Sequence, residues 1–368
     1  MKQIDTNLVK FGSITKRIPK KDVATYRRTS VPPRVGDVIL ARVLRIGRHT
    51  HIENRNGRRI ALFPGDLLCA VFGNRYATDQ YEGVVPGVPV DRVALLSQGC
   101  VCGKVRSKNL EMPNPTRLDV LGYVYDESAR KVNLKNYSIT PASSGLKAHT
   151  ILVVGSSMNS GKTTTAATII NLLRLYGKTV CSAKVTGTAC RRDILYMQDA
   201  GARKVLDFTA CGYPSTSLCT EGELLYVFET IYSRLLAAKP DFIVLEVADG
   251  LFQRETEMLL ALPQFRERVD CAFFSGADSM AALAGRKVLQ ERFGIPVLGI
   301  SGKVANSELG MREVETHVGL PCFNPLHENS RKLYDILRGF FGAALDRTSK
   351  AERRARREAR RAVAAASA

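Results

Sequence analysis

The stretch Thr150-Ile151-Leu152-Val153-Val154-Gly155-Ser156-Ser157-Met158-Asn159-Ser160-Gly161-Lys162-Thr163-Thr164-Thr165 decides the fold. Its first five residues form a short apolar run, as expected for a strand buried on both faces of a parallel sheet. A polar loop follows, and a helix-forming segment opens at Lys162. In a strand, loop and helix so ordered, successive backbone N–H groups curl around phosphate and the helix N-terminus adds favourable dipole charge. The residues expected to cradle the phosphates are Gly155, Ser156, Ser157, Met158, Asn159, Ser160, Gly161, Lys162, Thr163 and Thr164. Lys162 would neutralise the outer phosphates, the Thr163 hydroxyl would ligate Mg²⁺, and Gly161 would permit close backbone approach. Five residues stand between Gly155 and Gly161 where four are usual, and Ser156 takes the place of the usual glycine.

Working outward, residues 149–345 alternate short apolar strands with helical segments. Strands are expected at 150–154, 179–185, 242–247, 271–275 and 297–300. Helices are expected at 162–176, 193–205, 221–238, 279–293 and 308–317, with a last amphipathic helix at 330–345. Such alternation implies an α/β layered domain with a mainly parallel sheet. Residues 1–145 read instead as β-rich. An Asn54-Arg55-Asn56-Gly57 turn lies between two strand-like runs, His49-Thr50-His51-Ile52-Glu53 and Arg58-Arg59-Ile60-Ala61-Leu62, which is a strong hairpin pattern. Short strands with Gly/Pro turns predict a small barrel or sandwich as an accessory domain. Residues 138–148 read as a linker. Residues 346–368 form a basic Ala/Arg-rich tail with little to bury, expected to be disordered or to become helical on contact.

Charge divides along the same lines. The net charge is +19, but residues 1–148 carry 25 Lys and Arg against 12 Asp and Glu, residues 149–346 carry 21 against 21, and residues 347–368 carry 8 against 2. A neutral middle with basic flanks fits a polyanion such as nucleic acid or an acidic membrane surface, or simply solvated basic faces. Arg42, Arg45, Arg48, Arg55, Arg58 and Arg59 cluster around the hairpin, with Phe63, Phe72, Tyr76 and Tyr81 nearby. These aromatics could serve as stacking platforms or as core. No apolar run reaches the roughly 18 residues of a membrane span, and the polar, basic N-terminus lacks a signal-peptide core, so a cytoplasmic location is expected. Nine scattered cysteines suit reduced core thiols, and Cys100-Val101-Cys102 is too tight for the usual zinc spacing. His49 and His51 would share one strand face, exposed or metal-binding.

Two more segments carry chemistry. In Asp241-Phe242-Ile243-Val244-Leu245-Glu246-Val247-Ala248-Asp249, an apolar strand delivers a carboxylate. Glu246 ends this strand beside the phosphate loop, and Asp249, three residues on, is the competing carboxylate. In Ser182-Ala183-Lys184-Val185-Thr186-Gly187-Thr188-Ala189-Cys190-Arg191-Arg192-Asp193, a loop opens after the second strand, at the carboxyl edge where ligands bind in α/β sheets. Lys184, Thr186, Gly187, Arg191 and Arg192 are the candidate contacts to a second, anionic ligand, with arginine suited to bidentate anion binding. The loops 212–217 and 275–279 are further candidates, and 301–306 would lie near a base.

The Gly-x5-Gly-Lys-Thr spacing resembles dethiobiotin synthetase and its P-loop relatives, among them the cobyrinic acid amide synthases. It also resembles the P-loop half of the DUF1611 family, which includes D-glutamate N-acetyltransferases. The resemblance covers roughly residues 149–320. It implies a Rossmann-like P-loop NTPase domain with a mainly parallel sheet. Glu246 matches the Glu of the Val-Glu-Gly segment of the dethiobiotin synthetase group, although Val247 replaces its glycine. The Lys184 to Gly187 segment is similar to the Lys…Thr-Gly substrate loop of those enzymes, but shorter. Ser157 stands where ParA- and MinD-like relatives carry a signature lysine, which points away from that group.

The expected catalytic residues are Lys162, Glu246 and Asp249, with Thr163 and Glu246 holding the metal. The expected cofactors are Mg²⁺ and a nucleotide, ATP by default because no Asn-Lys-x-Asp guanine motif is present, with GTP left open. Three outputs follow. The first is phosphorylation or ligation of a small acidic substrate, as the resemblance to dethiobiotin synthetase implies. The second is a nucleotide-driven switch whose basic N-terminal domain and C-terminal tail hold nucleic acid or a protein partner. The third, implied by the DUF1611 resemblance, is acyl transfer with coenzyme A. An oligomer is compatible with all three.

Overall fold

The computed structural model describes residues 1–143, 147–326 and 330–346; the basic tail lies outside the described residues, as does part of the expected linker. The N-terminal half carries strands β1 (Lys2–Gln3), β2 (Val9–Phe11), β3 (Thr25–Arg27), β4 (Val38–Arg45), β5 (His51–Glu53), β6 (Arg59–Ala61), β7 (Leu67–Phe72), β8 (Tyr81–Val84), β9 (Arg92–Leu95), β10 (Val101–Lys108) and β11 (Arg117–Tyr125). Five of them close a ring. β11 pairs with β4, β4 with β7, β7 with β10, β10 with β9, and β9 returns to β11. The β7–β10 pair is parallel and the others are antiparallel. The accessory domain is therefore a small barrel, filled by Val38, Leu40, Leu68, Phe72, Val101 and Leu118. β5 and β6 form the expected hairpin, where the Asn54 carboxamide oxygen accepts from Asn56 N and Arg58 N, both at 3.0 Å.

Phe72 belongs to the barrel core and Tyr81 is fully buried, whereas Phe63 and Tyr76 are exposed. His49 precedes β5 and does not share a strand face with His51. It is buried beside Tyr81, and burial, with Arg75 and Arg48 nearby, pushes its imidazole down to about 3. The thiols of Cys100 and Cys102 are buried in the barrel and pushed up by burial.

The second half carries β12 (His149–Gly155), β13 (Val180–Lys184), β14 (Lys204–Asp207), β15 (Phe242–Glu246), β16 (Cys271–Ser275) and β17 (Val297–Ser301). They form one all-parallel sheet in the order β14-β13-β15-β12-β16-β17. Its helices are α1 (Lys162–Leu175), α2 (Arg192–Asp199), α3 (Glu221–Leu236), α4 (Arg254–Ala261), α5 (Pro263–Arg266), α6 (Ser279–Lys287), α7 (Glu308–His317), α8 (Ser330–Phe341) and α9 (Ala343–Asp346). Successive side chains of a strand face opposite ways. Leu152 and Val154 of β12 accordingly join the core under α3, α4 and α7, and Ile151 and Val153 join the core under α1, α2 and α8. This is the layered α/β arrangement of a P-loop NTPase fold. Among the described residues no helix is long and apolar enough to cross a membrane.

The helix expected at 193–205 is shorter. It ends at Asp199, the chain turns through Gly201 at φ +101°, and Lys204–Asp207 become the edge strand β14. The apolar spacing suggested a continuing helix, but Gly201 supplies the left-handed conformation that ends one. The described part of the expected linker is pinned to the second domain. Ile139 N donates to Ala210 O (2.8 Å), and Ala142 N donates to Ser233 Oγ (3.1 Å).

The two domains share a buried carboxylate. Glu53 of the hairpin, 2% exposed, accepts from Arg191 N (2.6 Å), Arg192 N (3.2 Å) and Cys190 Sγ (3.2 Å) at the start of α2. A carboxylate there satisfies orphan helix-end donors and matches the dipole. Glu53→Ala would leave those N–H groups unpaired in a dry interface. We expect it to lower the unfolding free energy by about 2–4 kcal/mol, read from chemical denaturation followed by far-ultraviolet circular dichroism.

Candidate functional site

β12 ends at Gly155 and the chain wraps into a tight loop before α1. A side chain at Gly155 would lie 2.4 Å from Ser160 Oγ and 2.7 Å from Ser275 O, so the turn has room only for glycine. Gly161 stands at the helix start with φ +108°, and a Cβ there would meet Gly302 Cα at 2.8 Å. Neighbouring loops hold this one in shape. Ser156 N donates to Ser275 O (3.1 Å), Ala277 N donates to Ser156 Oγ (3.1 Å), and Lys303 N donates to Ser160 O (3.1 Å). The loops 275–279 and 301–306 thus buttress the Gly155 to Gly161 loop. Beneath it, the hydroxyls of Thr165, Ser275 and Ser301 form a buried cluster, with Thr165 and Ser301 at 2.7 Å.

A cleft of about 400 Å³ opens above this edge of the sheet. Met158, Asn159, Ser160, Gly161, Lys162, Thr163 and Thr164 line one wall. Lys184, Gly187, Thr188, Cys190, Arg192 and Asp193 line another, with Glu246 and Asp249 at the floor. Lys162 is buried, and its ammonium donates to Ser157 O (2.6 Å). Burial lowers its pKa, assisted by Lys184, while Glu246 and Asp249 oppose.

The parallel register brings the charged groups together. Lys184 and Glu246 are direct partners across β13 and β15. Lys184 Nζ lies 3.7 Å from Glu246 Oε1 and forms a closer ion pair with Asp193. Burial alone would lower the Lys184 ammonium, but Asp193 and Glu246 raise it above its ordinary value. Burial pushes the Asp193 carboxyl up, yet Lys184 prevails and holds it below the usual carboxylate range. For Glu246 burial prevails and raises the carboxyl. Asp249 is raised too, by burial, against Lys162, Lys184 and Arg75.

The site fits a magnesium ion. The Thr163 hydroxyl donates to Glu246 Oε1 (3.2 Å), and Glu246 Oε2 is buried without a partner. A hydroxyl and one carboxylate beside a phosphate loop suit Mg²⁺, which usually takes one or two carboxylates plus substrate phosphates. Among the described residues no three His, Cys, Asp or Glu side chains are grouped to hold a metal on their own.

Two expected ligand contacts lie elsewhere. The Thr186 hydroxyl is buried and donates to Ala248 O, and it accepts from Ala248 N (2.9 Å), so Thr186 fixes the loop carrying Asp249. Arg191 lines a separate cavity of about 200 Å³ against Lys16, Arg17 and Asp207, whereas its neighbour Arg192 lines the main cleft. The loop 212–217 supports the site from outside: Gly187 N donates to Thr216 Oγ1 (2.9 Å).

Four further residues of the cleft come from the barrel: Arg75, Tyr76, Ala77 and Gln80. Their segment is docked on the phosphate loop, where Asn159 Nδ2 donates to Asp79 Oδ2 (3.1 Å). Sequence reasoning missed this wall apart from noting Tyr76, because no motif or periodicity marks a contact made only by domain docking.

No family model matches this sequence, and no curated protein is similar to it at a significant level. Solved structures resemble it weakly, three of them as follows. The signal recognition particle receptor FtsY from Elizabethkingia anophelis in complex with GDP is 13% identical over 56% of this chain and 68% of its own, with a TM-score of 0.37. The signal recognition particle 54 kDa protein from Aeropyrum pernix K1 in complex with GDP is 15% identical over 55% of this chain and 50% of its own, with a TM-score of 0.36. Chloroplast FtsY from Physcomitrella patens is 16% identical over 55% of this chain and 70% of its own, with a TM-score of 0.37. Likeness at this level assigns neither family nor activity.

The pairing of Lys184 sets a pH dependence. The low Asp193 pKa contributes stability at neutral pH that is lost as pH falls through that value. The raised Lys184 pKa contributes stability that is complete below the ordinary lysine value and lost only above it. Lys184→Met strands the buried Glu246 and the half-buried Asp193, so we expect a loss of about 3–5 kcal/mol at pH 7. The loss should shrink toward pH 4, where the stranded carboxyls take up protons. Urea denaturation of both proteins at the two pH values measures the difference.

Proposed function

We propose that the protein is a cytoplasmic, Mg²⁺-dependent nucleoside triphosphatase that couples ATP to phosphorylation or ligation of a small acidic substrate. The observation that carries the reading is the convergence of Lys162, Thr163 and Glu246 at the N-terminus of a 14-residue helix, in a cleft with room for more than phosphate. The resemblance of the Gly155 to Thr163 segment to dethiobiotin synthetases points the same way. The free thiols throughout fit a reducing compartment.

The loop N–H groups, the α1 dipole and Lys162 bind the phosphates and stabilise the charge that develops during transfer. Thr163 and Glu246 would hold Mg²⁺, which when bound neutralises phosphate oxygens. Asp249 at the floor is positioned to orient the acceptor. Lys184 is held by Asp193 and Glu246, so Arg192, exposed at the cleft and only loosely paired with Asp193 (3.8 Å), is the group that would meet an anionic acceptor such as a carboxylate. Phosphoryl transfer needs little covalent chemistry from the protein, so positioning and electrostatics carry the reaction.

A second reading has its own observation. Arg45, Lys108 and Arg117 line a groove of about 530 Å³ on the barrel, away from the nucleotide cleft. It would let the basic domain hold nucleic acid while nucleotide turnover switches the contact.

A hydrolysis assay with ATP and with GTP, with and without single-stranded nucleic acid, tests both. We expect Mg²⁺-dependent turnover that falls about 100-fold or more in Lys162→Ala and in Glu246→Gln. Stimulation by nucleic acid that disappears at high salt would favour the switch. Turnover in Lys162→Ala equal to wild type would remove the enzymatic reading.

A further inference from the structure

Arg75 belongs to the barrel, yet it lines the cleft beside Lys162 and Thr163. It is 8% exposed. Its Nη2 donates to Gln80 Oε1 (2.8 Å), and its Nε is buried without a partner. Among the described residues no carboxylate lies within ion-pair distance of it. Arginine is almost never buried unless paired, and an isolated buried charge is costly. This guanidinium is thus held in a dry wall with spare donors and no resident anion.

Its placement is rigid. Arg75 N and O bridge Gly83 through a pair of backbone bonds at 2.8 and 2.9 Å. On either side, Asn74 Nδ2 donates to Ser217 O (3.2 Å), and Asp79 accepts from Asn159 at the tip of the phosphate loop. Burial pushes Arg75 down to about 10, with Asp249 opposing, and Asp249 also feels Lys162. Arg75 shares the lining of the cleft with Lys162, Glu246 and Asp249.

We infer that Arg75 binds the terminal phosphoryl group of the nucleotide and stabilises its charge during transfer, so that the site is completed by the N-terminal barrel. This rests on the nucleotide reading above. In the simplest turnover, a water oxygen bonds to the terminal phosphorus. The bond to the bridging oxygen breaks, with its electron pair left on the diphosphate, and the proton of the water passes to the released phosphate. Negative charge grows on the bridging and terminal oxygens, and a guanidinium fork matches them. A diphosphate lacks the group that Arg75 meets. Nucleotide hydrolysis would accordingly require the barrel to be docked.

The test compares wild type, Arg75→Gln and Arg75→Lys. Calorimetry measures the affinity of a non-hydrolysable ATP or GTP analogue, whichever wild type binds more tightly, and of the matching diphosphate. Arg75→Gln should weaken the triphosphate analogue about tenfold or more, leave the diphosphate within about twofold, and lower kcat about 100-fold. Arg75→Lys should recover only part of this, because an ammonium lacks the fork. Triphosphate affinity and kcat unchanged in Arg75→Gln would overturn the inference while leaving the nucleotide reading intact. Wild type binding neither nucleotide would overturn both. If Arg75→Gln and Arg75→Lys both weaken the diphosphate as much as the triphosphate analogue, Arg75 does not distinguish the terminal phosphoryl and the inference is overturned.

Discussion

Lys184 is half-buried between Asp193 and the buried Glu246, and the candidate site is organised by the balance of charge this requires. A lone ammonium or carboxylate in that position would be prohibitively costly to dehydrate. Together the three groups are tolerable, and they fix one another. Lys184 ends one strand, Glu246 ends its neighbour, and Asp193 opens the helix that follows. The parallel register aligns them at the carboxyl edge, and the short apolar strands behind them leave no room for slippage. Glu246 is then free to offer one oxygen to Thr163 and to keep the other unpaired.

The same edge also joins the domains. Glu53 of the barrel caps the start of α2, the helix that carries Asp193. Asp79 touches the phosphate loop through Asn159, and Arg75 enters the cleft between them. The barrel is thus a structural wall of the site and not an appendage. Its surplus of basic charge lies largely on the surface, and the interior of the barrel is apolar.

Much of this was legible in the sequence, for identifiable reasons. Strands buried on both faces must be continuous apolar runs, so β12, β13, β15, β16 and β17 stand out. The edge strand β14 does not, because its Lys204-Val205-Leu206 side chains are only half-buried and the apolar spacing masks the helix stop that Gly201 supplies. Lys162, Thr163 and Glu246 could be grouped in advance because a phosphate loop would demand that local spacing, and the fold does bring them to one cleft. Arg191 and Arg192 could not be separated by sequence, since adjacent residues at a helix start point to different cavities. Thr186 looked like a ligand contact because hydroxyls beside glycine suit both ligand binding and loop pinning; here the Ala248 backbone claims it. Arg75 and Glu53 were invisible, as their roles exist only once two separately coded domains meet.

The most direct measurement is a calorimetric titration of Mg²⁺-nucleoside triphosphate into wild type and Lys162→Ala, repeated with a chelator. The geometry predicts saturable binding by wild type, weakened when the metal is removed and reduced about 100-fold or more by Lys162→Ala. Equal affinity in the two proteins, or no binding of ATP or GTP by wild type, would contradict the assignment of the Gly155 to Thr163 loop as a phosphate site.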